Sequence, residues 1–451
     1  MRRNSIRLFI SGLTAALLLT ACKNNDTVTP KAEPTVAAEA TAVPTAEAEP
    51  TKEPEPTEAP EPTEAPEPTE APTPTEAPVE DNGLVDYHIA IKASVPENEA
   101  LAFTRDMRIG WNLGNCFDAH DSGCADEMDY ETAWCGAKVT KELIHSMKEA
   151  GFNTIRVPVS WHNHIDADNN ISEKWMNRVE EVVGWVIDEG MYAIINIHHD
   201  DDQFYPSYAK LNASKEYVKD IWTQVADRFA DYDNHVIFET LNEPRQVGKD
   251  YEWWINDKEA DYAKESFDCI NQLNQIAVDT IRADGKGHNP DRYILVPGYC
   301  AAPEFETYRD FKIPEDTADN RIIISAHAYT PYDFALNKSG TKDFSISGQN
   351  GTGDIDAFIR KLHGSFIIKG IPVVITEWGS LDKNNLDSRL EFAAYYIVTA
   401  ANYGIPTVLW DNNAYKTDGE NFGIINRATL EWIFPEIKDQ LIYSAELGWG
   451  E

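Results

Sequence analysis

Two glutamates follow apolar, strand-like runs in this sequence. Glu243 lies in the stretch IFETLNEPR (237–245), and Glu377 lies in VVITEWGS (373–380). A carboxylic acid and a carboxylate that flank one bond can serve as proton donor and as nucleophile or base, which is the chemistry of glycosidic-bond cleavage. Carboxyl groups about 5 to 5.5 Å apart suit retention of configuration, and about 6.5 to 9.5 Å suits inversion. The residue types predict the pair but leave that distance open.

The elements that must position these glutamates are short β-rich runs separated by stretches of helical periodicity. Strands are predicted at 107–113, 153–159, 192–197, 236–241, 293–297, 322–327, 373–378 and 407–411, and helices at 140–150, 172–189, 215–230, 259–283, 354–369 and 387–403. Such alternation predicts a parallel sheet of the α/β class. Eight units in one domain favour a (β/α)8 TIM barrel over a doubly wound sheet. The GWNLGN stretch (110–115) lacks the GxGxxG spacing of a dinucleotide site.

Polar and aromatic side chains recur at one end of nearly every predicted strand. Besides the two glutamates they are Asn112, Arg156, His198, His199, Asn242, His327, Tyr329 and Trp410. In a (β/α)8 barrel the active site lies at the carboxyl ends of the strands. A barrel built for stability alone would not need this pattern, so we predict that these residues line one site.

Six motifs at these strand ends together resemble glycoside hydrolase family 5, within clan A of retaining barrel glycosidases. They are NTIRVPVSW, NIHHD, NEP, HAYTPYDF, TEWG and VLWDN, and the resemblance covers about residues 105 to 440. GWNLGN, the HH pair and IFETLNEPR are most similar to the subfamily of endo-β-1,4-glucanases active on cellulose, xyloglucan and mixed-linkage glucan. The resemblance implies double-displacement hydrolysis of a β-glucan without a cofactor or metal.

The resemblance also implies roles for the charged residues. Glu243 resembles the acid/base, whose pKa should lie well above that of a free glutamic acid. Glu377 resembles the nucleophile and should stay ionised. Arg156 should favour that anion, although an ion pair between Arg156 and Glu239 is an alternative, and the two arrangements can coexist.

The remaining residues are expected to bind the sugar or to orient the carboxyl groups. Asn242 resembles the residue that binds the sugar 2-hydroxyl, and Tyr329 the tyrosine that hydrogen-bonds the nucleophile. His327 should orient the acid/base, while Trp410 resembles an indole platform under the sugar. The predicted substrate-binding set is completed by Asn112, Arg156, His198 and His199. Trp134, Trp161, Trp253 and Trp254 could line outer subsites or could simply pack.

The amino terminus is typical of an exported protein. Arg2, Arg3 and Arg7 precede an apolar run at 8–19 that is too short for a stable membrane anchor. The run ends in LTAC (19–22), which resembles a lipoprotein signal and implies lipid attachment at Cys22; an ordinary signal peptide with a chance cysteine is the alternative. We therefore expect an anchored protein at the cell surface or outer membrane, or else a secreted one.

A Pro/Thr/Glu-rich segment separates this signal (1–22) from the predicted catalytic domain (85–451). Residues 31–80 hold 12 of the 25 prolines and repeat the letters EPTEAP, so the segment 23–84 cannot bury enough apolar surface to fold. It is predicted to be a disordered tether. The net charge of −37 disfavours nucleic acid as a partner and is compatible with a neutral polysaccharide. A monomer is expected.

Several alternatives stay open at this point. One disulfide among Cys116, Cys124 and Cys135 is plausible, whereas their irregular spacing disfavours zinc. IHHDDD (197–202) with His327 could ligate a metal in a metal-dependent barrel hydrolase. A surface-anchored glycan-binding protein, or a mannanase or xylanase of the same family, are the other competitors.

Overall fold

The computed structural model describes residues 83–450. The predicted signal sequence, Cys22 and nearly all of the predicted linker lie outside the described residues. Within residues 83–450, no helix is both long and apolar enough to span a bilayer.

Eight parallel strands close into a barrel in sequence order, with β8 paired to β1. The strands are β1 (Ile109–Leu113), β2 (Thr154–Val157), β3 (Tyr192–Asn196), β4 (Val236–Glu239), β5 (Ile294–Pro297), β6 (Ile322–His327), β7 (Val373–Trp378) and β8 (Thr407–Asp411). Every residue of these strands is buried, as expected when helices cover a parallel sheet. The prediction of a (β/α)8 barrel is confirmed.

The helices surround this sheet. They are α1 (Glu99–Met107), α2 (Tyr130–Ala133), α3 (Lys141–Ala150), α4 (Glu173–Asp188), α5 (Leu211–Arg228), α6 (Asp261–Asp284), α7 (Pro303–Glu306), α8 (Tyr332–Ala335), α9 (Thr352–Ser365), α10 (Leu386–Asn402) and α11 (Pro435–Trp449). Local signals set their ends: in α3 the Thr140 side chain accepts a hydrogen bond from the Leu143 amide, and Gly151 closes the helix at φ 108°. A small hairpin, β9 (Ile425–Asn426) and β10 (Glu431–Trp432), follows β8.

The sequence did not predict α1 or α11. The prediction that β1 begins at Met107 was wrong, because Met107 is the last residue of α1. Met107 and Ala100 belong to the apolar cluster inside the barrel, so α1 closes its amino-terminal end. With nine residues α1 is short, so its apolar positions span few helical turns and are easily missed in the sequence.

The barrel interior is layered, because side chains two positions apart in a strand face the same side. The lower layer is apolar and contains Ile194, Ile237, Leu295, Ile323, Val374 and Val408. Two positions further along four of these strands stand Asn196, Glu239, Ser325 and Thr376, all buried. A polar layer therefore lies directly between the apolar core and the carboxyl ends of the strands.

The ladder becomes irregular where the chemistry is expected. The register shifts between Ala326 and His327 on the β6–β7 side, and between Ile375 and Trp378 on the β7–β8 side. Irregularities of this kind redirect side chains near active sites. Here they set the directions of His327 and Glu377 at adjacent strand ends.

Candidate active site

The carboxyl groups of Glu243 and Glu377 lie close together at the open end of the barrel. Their nearest ligand-type oxygens and the Nδ1 of His327 all fall within 4.8 Å of one another. The His327 Nδ1 is 2.8 Å from Glu243 Oε1 and 3.6 Å from Glu377 Oε2. Both carboxylate side chains retain solvent exposure, 16% for Glu243 and 7% for Glu377. The fold therefore brings two accessible carboxyl groups to one point.

Two donors hold the Glu377 carboxylate. Arg156 Nη1 donates to Oε1 at 2.6 Å, and the Tyr329 hydroxyl donates to Oε2 at 3.0 Å. Both oxygens thus have a partner, and the carboxylate cannot turn away from the cleft. Trp378 stacks on Tyr396 behind it, with ring centroids 4.3 Å apart.

Arg156 connects this carboxylate to the polar layer below. Its Nε donates to Glu239 at 2.8 Å, its Nη1 to Asn112 at 3.0 Å and its Nη2 to Asn242 at 2.7 Å. The pairs of Arg156 with Glu239 and with Glu377 therefore coexist. Burying a cation at this depth is tolerable because two carboxylates and two amides surround it.

The structure places Asn112 and Arg156 beneath the cleft rather than on its surface. Both residues have 0% solvent exposure. The Asn112 side chain also donates to the carbonyl of Thr376 at 2.9 Å. In this geometry the two side chains position Glu377 and Asn242 and cannot touch a sugar, which corrects the prediction that they bind substrate directly.

Three residues of the polar layer were missed at the sequence level. Asn196 donates to Glu239 at 2.8 Å and lies 3.0 Å from His198, while the Ser325 hydroxyl bonds both Glu239 and Thr376. Their signal was available, since each stands two positions after an inward-facing apolar residue. Arg245 was also missed; it pairs with Asp201 and donates to the backbone oxygen of Glu243.

The electrostatic balance in the free site differs from the predicted one. Burial raises the pKa of Glu243, but the hydrogen bond and charge of His327 bring that pKa below its ordinary value. Burial raises the pKa of Glu377 above its ordinary value despite His327 and Arg156. The prediction that the pKa of Glu243 lies well above that of a free glutamic acid is therefore wrong for the free site.

The pKa of His327 shifts in the opposite direction to that of Glu243. Burial lowers the pKa of the His327 imidazolium, but Glu377 and Glu243 outweigh burial and raise it above its ordinary value. Because Nδ1 is 2.8 Å from Glu243 Oε1, a proton on His327 can be donated directly to that carboxylate. Three interacting groups at such distances titrate as a unit rather than one by one.

The other predicted sugar contacts lie around the carboxyl pair. Asn242 is almost fully buried, with its Oδ1 engaged by Arg156 and its amide nitrogen left to donate elsewhere. The His198 ring lies parallel to the Trp410 indole, with centroids 6.1 Å apart. Burial keeps the pKa of His198 well below 6.5 and lowers that of His199 to about 3, so both rings are neutral. Trp410 is 9% exposed.

The loop tryptophans divide into two groups. Trp161 is fully buried and donates to the backbone of Asn196, so it packs and does not form an outer subsite. Trp134, Trp253 and Trp254 are exposed by 38%, 53% and 51%. Of these, Trp253 lies under the Arg245 guanidinium at 4.1 Å, close to the Glu243 backbone.

Within residues 83–450, three clusters contain at least three His, Cys, Asp or Glu side chains whose possible metal-ligand atoms lie within 4.8 Å of one another. They are Asp118 with His198 and His199, His120 with Asp121 and His162, and Glu243 with His327 and Glu377. In the described part of the chain His327 therefore groups with the two glutamates and not with the 197–202 segment. The metal alternative drawn from IHHDDD and His327 does not correspond to a single cluster.

A closed barrel that presents two accessible carboxyl groups at its strand ends has the architecture of a glycosidase. The family profile described as cellulase (glycosyl hydrolase family 5) matches residues 118–416. The chain therefore belongs to glycosyl hydrolase family 5.

Individual relatives are similar over most of the described chain. Endoglucanase A of Clostridium longisporum is 41% identical over 347 residues, which cover 76% of this chain and 65% of that protein. A family 5 lichenase variant from Caldicellulosiruptor sp. F32, solved with cellotetraose, is 49% identical with a TM-score of 0.78 over 80% of this chain and 99% of its own. A GH5-4 broad specificity endoglucanase from Ruminococcus champanellensis with bound cellotriose is 41% identical with a TM-score of 0.72, covering 78% and 100% of the two chains.

Proposed function

We propose that this protein is a retaining endo-glycosidase that hydrolyses β-1,4-glucan backbones by double displacement. The observation that carries the proposal is the separation of the carboxyl groups. Ligand oxygens of Glu243 and Glu377 within 4.8 Å of each other suit the spacing of about 5 to 5.5 Å between the two groups of a retaining enzyme. An inverting enzyme keeps a wider gap between its carboxyl groups in order to admit a water molecule, so the close approach of these oxygens favours retention.

In the first step Glu377 acts as nucleophile. Its Oε attacks the anomeric carbon, a carbon–oxygen bond to the enzyme forms, and the bond to the departing sugar oxygen breaks. Arg156 and Tyr329 hold the attacking carboxylate in line. Glu243 donates a proton to the departing oxygen. Glu243 in turn receives this proton from the Nδ1 of His327, which lies 2.8 Å from Glu243 Oε1.

In the second step water replaces the departed sugar. Glu243 accepts a proton from that water, whose oxygen attacks the anomeric carbon and releases the Glu377 carboxylate. The asparagine next to the acid/base, Asn242, is held by Arg156 so that its amide can donate to the sugar 2-hydroxyl. That hydrogen bond strengthens as positive charge develops on the ring.

The glucan class rests on likeness and on the aromatic surface. The relatives described above are named as endoglucanases and a lichenase, and two of them were solved with cello-oligosaccharides. Exposed Trp134, Trp253 and Trp254 offer flat faces on which sugar rings can stack. We infer activity on cellulose-type, mixed-linkage and xyloglucan chains, which places the protein with the broad-specificity endoglucanases of the family.

The mechanism is tested by following the anomeric configuration of the first product by proton NMR on a soluble cello-oligosaccharide. Retention is expected for the wild type. Glu377→Gln should lose about four or more orders of magnitude in kcat, because the nucleophile is gone. Glu243→Gln should recover much of its first step on a substrate with an acidic leaving group, which needs no protonation. Inversion in the wild type would overturn the assignment.

Substrate preference is tested on a matched panel of soluble polysaccharides. We expect the highest kcat/KM on a β-1,4-glucan backbone, with internal cleavage seen as a rapid fall in viscosity. Turnover confined to mannan or xylan would instead support the alternatives within the same family. Binding of glucan without turnover by the wild type would identify a glycan-binding protein.

We propose further that the chain is exported and lipid-anchored at Cys22, with 23–84 as a disordered tether, 85–451 as the catalytic domain, and no partner subunit. The basic start, the short apolar run and the LTAC letters support this. Full-length protein should partition into detergent, and Cys22→Ala protein should not. A mature protein that begins at another residue without lipid would indicate secretion.

The proposal that the protein has no partner subunit is tested separately. Sedimentation of the Cys22→Ala protein should give a monomer.

A further inference from the structure

Two buried cysteines meet beside the active site. Cys116 is fully buried and Cys135 is 8% exposed, and their Sγ atoms are 3.2 Å apart. They lie at the two ends of a segment that begins after β1 and runs just past the short helix α2; we call residues 116–135 the rim loop. All five cysteines within residues 83–450 carry free thiols, so the disulfide expected among Cys116, Cys124 and Cys135 is not formed in this structure.

The surroundings make the two thiols chemically unequal. Arg427 Nη1 lies 3.1 Å from Cys116 Sγ and is itself held by Asp411. A hydrogen bond from Cys116, together with the Arg427 charge, lowers the pKa of Cys135 to about 6, although burial opposes this. Burial raises the pKa of Cys116 well above its ordinary value. The lowered pKa of Cys135 makes it the more readily ionised thiol of the pair, and a thiolate beside a neutral thiol favours disulfide exchange.

We propose that Cys116 and Cys135 form a specific redox site, which reacts with a small disulfide or with a thiol–disulfide oxidoreductase and closes the rim loop covalently. The proposal rests on the sulfur geometry and is independent of the glucanase assignment. The spacing of Cys116, Cys124 and Cys135 in the sequence could not decide which two would pair, whereas the distance between the sulfur atoms selects Cys116 and Cys135.

The reaction balances as two successive exchanges. The Cys135 thiolate attacks one sulfur of the reagent disulfide, forming a mixed disulfide and releasing one thiolate. The Cys116 sulfur then attacks the Cys135 sulfur, its proton passes to the departing sulfur, and the second half of the reagent leaves as a thiol. The two protein thiols are oxidised and the reagent disulfide is reduced to two thiols.

Little movement is needed for this bond. The sulfurs must approach from 3.2 Å to about 2.05 Å. Gly136, directly after Cys135, has a φ of 70° and open space around the position of a Cβ atom, so no neighbouring atom crowds the chain on that side. The Cys135 carbonyl accepts a hydrogen bond from Asn413, which keeps that end of the loop against the loop after β8.

The loop that this bond would close borders the carboxyl-group cleft. It carries His120 and Trp134, whose rings lie 5.2 Å and 5.9 Å from the ring of His199. Closing a loop whose ends are 19 residues apart restricts the unfolded chain. Oxidation should therefore stabilise the folded protein and hold Trp134 in place beside His199.

The test uses the full-length chain incubated with oxidised glutathione, then blocked with iodoacetamide and digested without reduction. We expect a peptide pair linked through Cys116 and Cys135. The Tm should rise by about 5 °C on oxidation and return after dithiothreitol. Cys116→Ser and Cys135→Ser should each abolish this shift, whereas Cys269→Ser, a control at another buried cysteine, should keep it.

Other outcomes would overturn the proposal. Linkage of either residue to Cys124 would show that the rim loop rearranges on oxidation. Two glutathione adducts without an internal link, or alkylation of both thiols in the native oxidised sample, would show that the pair does not close. Because the linkage map is read on wild-type protein, these results do not depend on whether the serine variants fold.

Discussion

His327 decides where the catalytic proton is stored. It lies 2.8 Å from Glu243 and 3.6 Å from Glu377, and these two carboxylates raise its pKa above the ordinary value. In the proposed mechanism Glu243, whose own pKa is lowered, receives its proton from His327. This arrangement differs from a glutamic acid that holds its own proton because it is buried in an apolar pocket.

We expect His327→Gln to change the pH dependence of kcat/KM, which reports the free enzyme. In the wild type, activity should fall as pH rises through the raised pKa of the Glu243–His327 pair. Without the imidazolium, the proton must reside on the Glu243 carboxyl group, so the alkaline limb should move to lower pH by about one unit or more. The measurement is a profile from pH 4 to 9 on a soluble glucan.

A matched control is His235→Gln, since His235 pairs with Asp233 at 3.0 Å on the surface. That variant should leave both limbs in place. An unchanged alkaline limb in His327→Gln would mean that the pair does not hold the catalytic proton.

The ends of β1 and β8 meet at a glycine that supports the Trp410 indole. A Cβ atom at Gly114 would lie 2.6 Å and 2.7 Å from Trp410 ring carbons and 2.8 Å from the Asp411 carbonyl oxygen. Such distances are below any normal contact. The position of Trp410, the predicted sugar platform, therefore depends on the absence of a side chain at Gly114, directly after β1.

We expect Gly114→Ala to displace Trp410 and to raise KM for a soluble β-glucan by about tenfold, with a smaller change in kcat. Gly184→Ala is the control, because Gly184 lies inside α4 and its nearest neighbour is the Tyr232 hydroxyl at 3.7 Å. This control should gain about 0.5 to 1 kcal/mol in unfolding free energy and keep its KM. If Gly114→Ala lowers Tm without altering KM, Trp410 is not a substrate platform.

Several histidines are buried in their neutral form across the protein. Burial lowers the pKa of His164 and of His199 to about 3. His164 stacks on Trp175 at 3.6 Å, and neither ring nitrogen has a hydrogen-bond partner among residues 83–450. Since the unfolded chain takes up protons at these residues first, their contribution to stability is complete above about pH 6.5 and is lost as pH falls toward 3.

We therefore expect the free energy of unfolding, measured with urea, to fall steeply between pH 6.5 and 4.5, by about 2 kcal/mol for each such histidine. His164→Phe keeps a ring against Trp175 and removes the titrating group, so it should flatten this decline. His145→Phe, at an exposed position, should leave the pH dependence unchanged. If the free energy of unfolding falls with pH as steeply in His164→Phe as in the wild type, His164 is not buried in its neutral form.

Much of the architecture followed from local pattern. The predicted strands 322–327, 373–378 and 407–411 match β6, β7 and β8 exactly in extent, because continuous apolar runs bounded by turns are read from neighbouring letters. Glu243 and Glu377 were assigned for the same reason, as carboxylates that directly follow or end such runs. The packing of α1 could not be predicted from the sequence. Its apolar face contacts the barrel interior at the opening rather than an adjacent strand.

The sequence by itself determined the barrel, the family motifs and the identity of the two carboxyl residues, because these depend on residue type and on spacing along the chain. Only the tertiary structure decided the approach of the two carboxyl groups, the raised pKa of His327 between them, the burial of Asn112 and Arg156, and the approach of Cys116 to Cys135. These features join residues that are far apart in sequence or face inward on different strands. Their distances and charges exist only once the barrel has closed and excluded water.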